Sequence, residues 1–198
     1  LDQDQIQTNR CNSCTLCMEK CPTKAIVAPG VLDARRCLSY WNIESREAVP
    51  TEIRTSLDSW IYGCDLCQEA CPWNQGHPKN AGMENAGQPM ENAGQPKSPE
   101  GWNLGHPKFS ENSPGTEDHP FTDPQKIAEI SDEEFMDLFQ GSVFFRLGRI
   151  RLLRNMIIAI GNSGNRSFYP FLEKTAQARQ DLLSEYAWWA LHRMSNRS

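Results

Sequence analysis

Eight cysteines, spaced as two near-copies of one pattern, limit what this chain can fold into more than any other feature. The first copy is Cys11-x2-Cys14-x2-Cys17-x3-Cys21-Pro22. The second, Cys64-x2-Cys67-x3-Cys71-Pro72, lacks its leading cysteine, because Ile61 stands where it would fall. Cys37 lies alone between the two. Disulfides need an oxidising compartment, yet the first residues, LDQDQIQTNR, hold no apolar signal-peptide core. No apolar run approaches the roughly 18 residues of a membrane span. A soluble, cytoplasmic protein with no membrane association is expected, where thiols stay reduced and clustered cysteines bind metal. The start at Leu1 rather than Met suggests a fragment or a processed product. With 38% hydrophobic residues and a mean hydropathy of −0.62, the core is modest, and the cysteines must staple the fold.

Three cysteines at intervals of three wrap a loop around one iron–sulfur cubane and offer three thiolates to three irons. The fourth, followed by proline, leaves that loop and ligates the other cluster in two-cluster bacterial ferredoxins. The first motif fits this in full. In the second, the missing thiolate must come from elsewhere, and only Cys37 remains. The count then closes on two [4Fe–4S] clusters. One takes Cys11, Cys14, Cys17 and Cys71; the other takes Cys21, Cys37, Cys64 and Cys67. Zinc sites also use C-x2-C pairs, but three cysteines spaced by three and then Cys-Pro suit cubane wrapping rather than zinc knuckles. Two neighbouring clusters are more simply an electron path than a structural staple alone.

Composition divides the chain into three zones. Residues 1–75 hold every cysteine. Residues 76–119 contain 7 of the 13 glycines and 6 of the 13 prolines, with MENAGQP in tandem at Met83–Pro89 and Met90–Pro96. Such a stretch cannot bury enough apolar surface to offset its ordering entropy. A flexible Gly/Pro-rich insertion is expected over 76–123, with His77 and His106 as exposed loop residues. From Pro124 the pattern turns helical. Ser131-x2-Glu134 is a capping box before Phe135, Leu138 and Phe139, and Gly141 closes that helix. A second helix is expected from Val143 to Ile160, with Val143, Leu147, Ile150, Leu153, Ile157 and Ile160 on one face and Gly161 at its end. Further helices are expected from Pro170 and over Asp181–Met194, with Trp188 and Trp189 packed in core and groove. The fold class is α+β: a ferredoxin-like domain over 1–75, then an all-α helical-repeat or bundle domain over 124–198.

Charge is uneven. The net of −5 conceals residues 141–198, with nine basic side chains (eight of them Arg) against three acidic. An Arg-rich end permits a polyanionic partner such as nucleic acid, although an Arg-rich helical surface is more often simply solvated. Arg146, Arg149, Arg151 and Arg154 spread over roughly 200° of a helix, so they form no narrow stripe.

The residues around the cysteines resemble one family. Cys37-Leu38-Ser39-Tyr40 with Ile43-Glu44, Tyr62-Gly63-Cys64-Asp65-Leu66-Cys67-Gln68 and Cys71-Pro72-Trp73-Asn74 are similar to segments of epoxyqueuosine reductase. So are Glu134-Phe135, Leu138-Phe139, Gly141-Ser142, Arg146, Gly148-Arg149, Leu153-Arg154-Asn155, Gly161-Asn162-Ser163-Gly164 and Ala187-Trp188-Trp189-Ala190-Leu191. The resemblance covers nearly the whole chain outside 76–119. It implies an oxidoreductase that reduces the epoxide of epoxyqueuosine in tRNA, the last step of queuosine synthesis. The cofactors implied are two [4Fe–4S] clusters and cobalamin. A HEAT-like helical domain would hold the tRNA anticodon stem-loop, with Arg146, Arg149 and Arg154 on its phosphates. Ser39, Ile61, Tyr62 and Gly63 would approach the cobalamin. A monomer fed by an external donor such as flavodoxin or ferredoxin is implied. The family's N-terminal half, with most of the cobalamin pocket and the acidic proton donor, is absent here, so no catalytic residue is assigned and the chain alone is expected to be inactive.

Two other readings compete. A stand-alone ferredoxin-like carrier needs no helical C-terminal third. A cobalamin-dependent reductive dehalogenase also holds two clusters, but the basic helical tail and the Gly-Cys-Asp-x-Cys-Gln stretch favour the tRNA enzyme.

Overall fold

The computed structural model describes residues 11, 13–74, 123–178 and 181–196. The expected insertion, its repeat, His77 and His106 lie outside the described residues, save for Asp123. The rest divides into two compact units. They do not follow the boundary drawn at residue 75: residues 38–64, between the two cysteine motifs, group with the C-terminal helices.

The first unit holds described residues from 11–37 and 65–74. It contains helix α1 (Leu16–Lys20), strands β1 (Ile26–Ala28) and β2 (Val31–Leu32), a 3-10 turn over Ala34–Arg36, and helix α3 (Leu66–Glu69). The strands form an antiparallel hairpin pairing Ile26 with Leu32 and Ala28 with Val31, with Gly30 in its turn at φ +74°. Helix α1 packs beside α3 and β1. Among this unit's described hydrophobic residues only Ala25 is fully buried; Leu16, Val27, Val31 and Leu32 are exposed. Apolar burial is therefore too small to hold such short elements, and a small domain of this kind draws its stability from bound metal or cross-links.

The second unit is stabilised by ordinary burial. Helix α2 (Thr51–Ser56) accompanies α4 (Pro124–Glu129), α5 (Asp132–Leu138), α6 (Val143–Leu147), α7 (Arg149–Ser163), α8 (Tyr169–Gln177) and α9 (Asp181–Ser195). Helix α7 is the axis, packing on α2, α4, α6 and α9, while α8 packs on α9. Every residue from Leu152 to Asn162 is buried, so over that stretch α7 has no solvent face, unlike the amphipathic helix expected. The N-termini follow their sequence signals. Asp123 accepts from the backbone N–H groups of Gln125 and Lys126, with Pro124 in the first turn. Ser131 Oγ accepts from Glu134 N–H at 3.1 Å, and Glu134 Oε2 accepts from Ser131 N–H at 2.7 Å, closing the capping box.

Two expectations about glycines change. The helix expected over Val143–Ile160 is broken at Gly148, whose φ of +78° ends α6 and starts α7. Gly161 does not end α7. The chain runs on to Ser163 and stops at Gly164, left-handed at φ +75°, whose N–H donates to Ile160 O. Gly161 instead allows close approach of α9: a Cβ there would lie 2.8 Å from Ala190 Cα and Cβ and 2.9 Å from the Trp189 ring. Trp189 is partly buried in that groove, whereas Trp188 is 61% exposed and not the core residue expected. Among the described residues no helix is long and apolar enough to cross a membrane.

The close approach yields a prediction. Gly161→Ala should overpack the α7–α9 contact and destabilise the second unit by about 1–3 kcal/mol, read as a lower urea midpoint with an unchanged slope. An unchanged midpoint would mean the two helices separate without cost.

Candidate metal centre and its supporting network

The cysteine motifs fold into tight, sulfur-facing turns. Cys14 N–H donates to Cys11 O at 2.7 Å, bending the first loop back on itself. Cys17 lies in the first turn of α1, and Cys21 caps its end with its N–H on Cys17 O at 3.2 Å. Lys24 then adopts φ +51°, which curls residues 21–25 around the Cys21 sulfur. Ala25 N–H donates to that sulfur at 3.2 Å, and Thr23 Oγ1 lies 3.6 Å from it. Burial raises the Cys21 thiol, but the Thr23 hydroxyl and the backbone N–H groups of Ala25, Thr23 and Ile26 outweigh it and hold the thiol below its ordinary value. Backbone N–H groups aimed at a thiolate are the groups that stabilise and tune a sulfur bound to iron. Thr23 Oγ1 also donates to Arg36 O at 2.5 Å, tying this turn to the 3-10 segment capped by Cys37.

Cys67 lies in α3, and Cys71 follows, with its N–H on Gln68 O at 3.1 Å. The Cys67 thiol is raised, first by burial and then by Cys37 and Cys21. Cys21, Cys37 and Cys67 are three of the four ligands expected for the second cluster. None of the eight cysteines forms a disulfide. Among the described residues no three His, Cys, Asp or Glu side chains converge on a single ion. The Ala25 N–H and the Thr23 hydroxyl at the Cys21 sulfur suit a thiolate bound to iron.

Cys64 belongs to the second unit, and its turn is held by Ser39 and by two side chains, Asn42 and Asn155, to which sequence reasoning gave no role. Ser39 Oγ donates to Cys64 O at 3.3 Å. Asn42, fully buried in a π-helical turn over Tyr40–Glu44, clamps Gly63 from both sides: Nδ2 donates to Gly63 O at 2.8 Å, and Oδ1 accepts from Gly63 N–H at 3.0 Å. Asn155, fully buried on α7, donates to Asn42 O at 2.7 Å and Ile61 O at 2.8 Å. The signal available in the sequence was a polar pair, Arg154-Asn155, beside the Ile- and Leu-rich run of one helix. Of the residues expected near cobalamin, Ile61 is buried in the core, and Gly63 sits at φ +70° with both backbone groups engaged. Tyr62 packs edge-on against Phe144 with ring centroids 5.5 Å apart. Burial raises the Tyr62 phenol, which stays neutral and able to donate a hydrogen bond.

The three arginines expected on tRNA have different fates. Arg154 is fully buried, and its guanidinium donates to Trp41 O at 2.7 Å, Ser45 O at 3.2 Å and Glu47 O at 3.3 Å. Burial, assisted by Arg151, lowers it to about 10 against a counteracting Tyr186, so it remains a cation at neutral pH. A group spent on backbone carbonyls inside the core cannot reach a phosphate, and the expectation for Arg154 is corrected. Arg149 is 16% exposed and pairs with Asp132 at 2.6 Å. Arg146 is 72% exposed and pairs with both carboxylate oxygens of Glu44 at 2.6 and 2.7 Å. Arg151 donates to Ile43 O at 2.9 Å and Arg146 O at 2.8 Å.

Known proteins agree with this architecture. Residues 10–74 match the family described as a 4Fe-4S double cluster binding domain. The chain is 33% identical over 201 residues to the epoxyqueuosine reductase of Vibrio cholerae, covering 100% of this chain and 46% of that protein. It is 33% identical over 194 residues to that of Escherichia coli K12, covering 96% and 43%. A structure of epoxyqueuosine reductase from Bacillus subtilis superposes with a TM-score of 0.69 at 28% identity, over 98% of this chain and 45% of that one. A crystal structure of epoxyqueuosine reductase with a tRNA-Tyr epoxyqueuosine-modified stem loop gives 0.69 and 28%, over 98% and 44%. The fold and the cysteine layout thus define an iron–sulfur protein with two [4Fe–4S] clusters and an α+β architecture. More narrowly, the chain is similar in sequence and structure to epoxyqueuosine reductases, and it spans less than half the length of the relatives it matches.

The arginine geometry separates two classes of variant. Arg154→Met leaves buried carbonyls without donors and should cost about 3–5 kcal/mol. Arg146→Ala removes only an exposed ion pair and should cost less than about 1 kcal/mol. Urea unfolding of both distinguishes them, and equal losses would contradict the placement of Arg154.

Proposed function

We propose that this chain is the electron-delivering and RNA-facing portion of an epoxyqueuosine reductase, which reduces epoxyqueuosine to queuosine in tRNA. The observation that carries this reading is homology running through 96–100% of the chain, across both the cysteine motifs and the helices. Cys11, Cys14, Cys17 and Cys71 hold one cluster; Cys21, Cys37, Cys64 and Cys67 hold the other. Each Cys-Pro motif lends its last thiolate to its partner's cluster, which locks the motifs together. An external donor such as a flavodoxin or ferredoxin supplies the electrons.

The second cofactor is cobalamin, which when bound supplies the two-electron chemistry that, with two protons, removes the epoxide oxygen as water. The Ile61–Gly63 turn and Ser39 face it from this chain. Tyr62, neutral and half-buried, can donate a hydrogen bond there. The clamped Gly63 keeps the turn rigid, so that its backbone would already be in place when the cofactor binds. Arg146 is the cation best placed for phosphate, since its partner Glu44 is exposed and readily exchanged. The anticodon stem-loop is the RNA it would meet. Proton donation to the leaving oxygen belongs to the part of the relatives that this chain does not span.

Two measurements test the reading. The reduced, anaerobically purified protein should show two [4Fe–4S] electron paramagnetic resonance signals. Cys71→Ser should alter the signal that Cys11→Ser alters, and Cys21→Ser the one that Cys64→Ser alters. Pairing of Cys71 with Cys64 instead would refute the exchanged ligand set. Deletion of the coding region from the source organism should make epoxyqueuosine accumulate in tRNA at the expense of queuosine, read by nucleoside mass spectrometry. Unchanged queuosine in a strain without a second reductase would leave a ferredoxin-like carrier as the better reading.

A further inference from the structure

The second cysteine motif lacks the thiol that gives the first its wrapping loop, and Ile61 occupies that position with its side chain buried in the core. A ligand at the open end of a broken motif would be free to wander unless something else fixed its backbone. Over four residues the turn leading into Cys64 is held by side chains from elsewhere. Asn155 takes Ile61 O, Asn42 takes both Gly63 N–H and Gly63 O, and Ser39 takes Cys64 O. Gly63, at φ +70°, is the residue most able to change conformation, and its two backbone groups are the ones doubly clamped. Asn155 also holds Asn42 O, so the clamp is itself braced by α7.

We infer that Asn42 and Asn155 are positioning residues for the iron–sulfur cluster ligated by Cys64, replacing through hydrogen bonds the geometry that a third cysteine provides in the first motif. Neither touches the cluster. They act through the backbone that carries the thiolate, as outer partners orient ligands in other metal sites. The inference rests on the assignment of Cys64 as a ligand. Buried polar groups also stabilise, so the comparison needed is with another buried asparagine. Asn162 supplies it: its Nδ2 donates to Arg54 O at 2.8 Å and Asp58 O at 2.9 Å, anchoring the same 38–64 segment away from the Cys64 turn.

The experiment uses the full chain, purified anaerobically with its clusters, as wild type and as Asn42→Ala, Asn155→Leu and Asn162→Ala. Iron and sulfide content, electron paramagnetic resonance of the reduced protein and thermal unfolding are measured on each. Asn42→Ala and Asn155→Leu should lose or shift the one signal that Cys64→Ser also alters, with iron and sulfide falling roughly twofold. Asn162→Ala should lower the melting temperature and leave both signals intact. Unaltered signals in Asn42→Ala and Asn155→Leu would overturn the assignment. So would the same cluster loss in all three variants, since cluster retention would then simply follow fold stability. Wild-type protein without two signals would defeat the cluster reading and this inference with it, whereas two wild-type signals with unaffected asparagine variants would defeat this inference alone.

Discussion

Arg154 and Asn155 donate five hydrogen bonds from the centre of α7 to the backbone oxygens of Trp41, Ser45, Glu47, Asn42 and Ile61. Those oxygens belong to irregular chain, whose carbonyls have few regular partners. Irregular backbone buried against a helix needs donors, and each buried carbonyl left without one costs about 1–3 kcal/mol. A guanidinium and an amide at adjacent positions meet that need for two stretches of chain at once. Arg54 and Tyr186 extend the arrangement. Arg54 Nε donates to Val49 O at 2.8 Å, its guanidinium pairs with Glu185 and lies 4.3 Å above the Tyr186 ring, and Tyr186 Oη accepts from Val49 N–H at 2.6 Å. Residues 38–64 therefore belong to the helices in energetic terms, although they lie between two cysteine motifs.

The two units consequently rely on different sources of stability. The helical unit buries Leu152, Leu153, Met156, Ile157, Ile158 and Ile160 along one helix and meets Phe135, Phe139, Phe144, Leu172 and Leu183 from its neighbours, which is a sufficient apolar core. The cysteine unit has short helices, a five-residue hairpin pairing and almost no buried apolar side chain. Metal–thiolate bonds supply folding energy where apolar burial cannot. Removing iron should leave the helices standing, and this asymmetry places the rigid frame outside the unit that carries most of the thiols.

Much of this was legible in the sequence because it rests on local chemistry. The cysteine spacing, the Ser131–Glu134 capping box and the helical pattern after Pro124 each follow from rules acting over a few residues. The misreadings arose where tertiary packing overrode a local rule. Gly161 has the residue type of a helix end, yet it serves the close approach of Ala190. Gly148 lies within an apolar pattern that continues through it, yet its positive φ divides the helix. Trp188 shares a helix with core residues but points to solvent. Asn155 left only the trace of a polar pair in an apolar run and Asn42 left none, because an asparagine carries no periodic signal and its partners are distant backbone groups whose positions only the fold defines.

The arginines show how far charge counts can mislead. Residues 141–198 carry a clear basic excess, but much of it on α6 and α7 is consumed within the unit. Arg154 lies among carbonyls, Arg151 caps Ile43 and Arg146, and Arg149 faces Asp132. These cations serve to satisfy backbone carbonyls or a neighbouring carboxylate rather than to project potential. Arg146 differs physically. Its partner Glu44 is itself about half exposed, and an ion pair in water contributes about 0–1 kcal/mol. A phosphate could take the place of Glu44 at little cost, whereas drawing Arg154 outward would strip several carbonyls of their donors at once. Whether this surface could take up a polyanion therefore depends on how cheaply each arginine can exchange its present partner, and the count of positive charges does not reveal it.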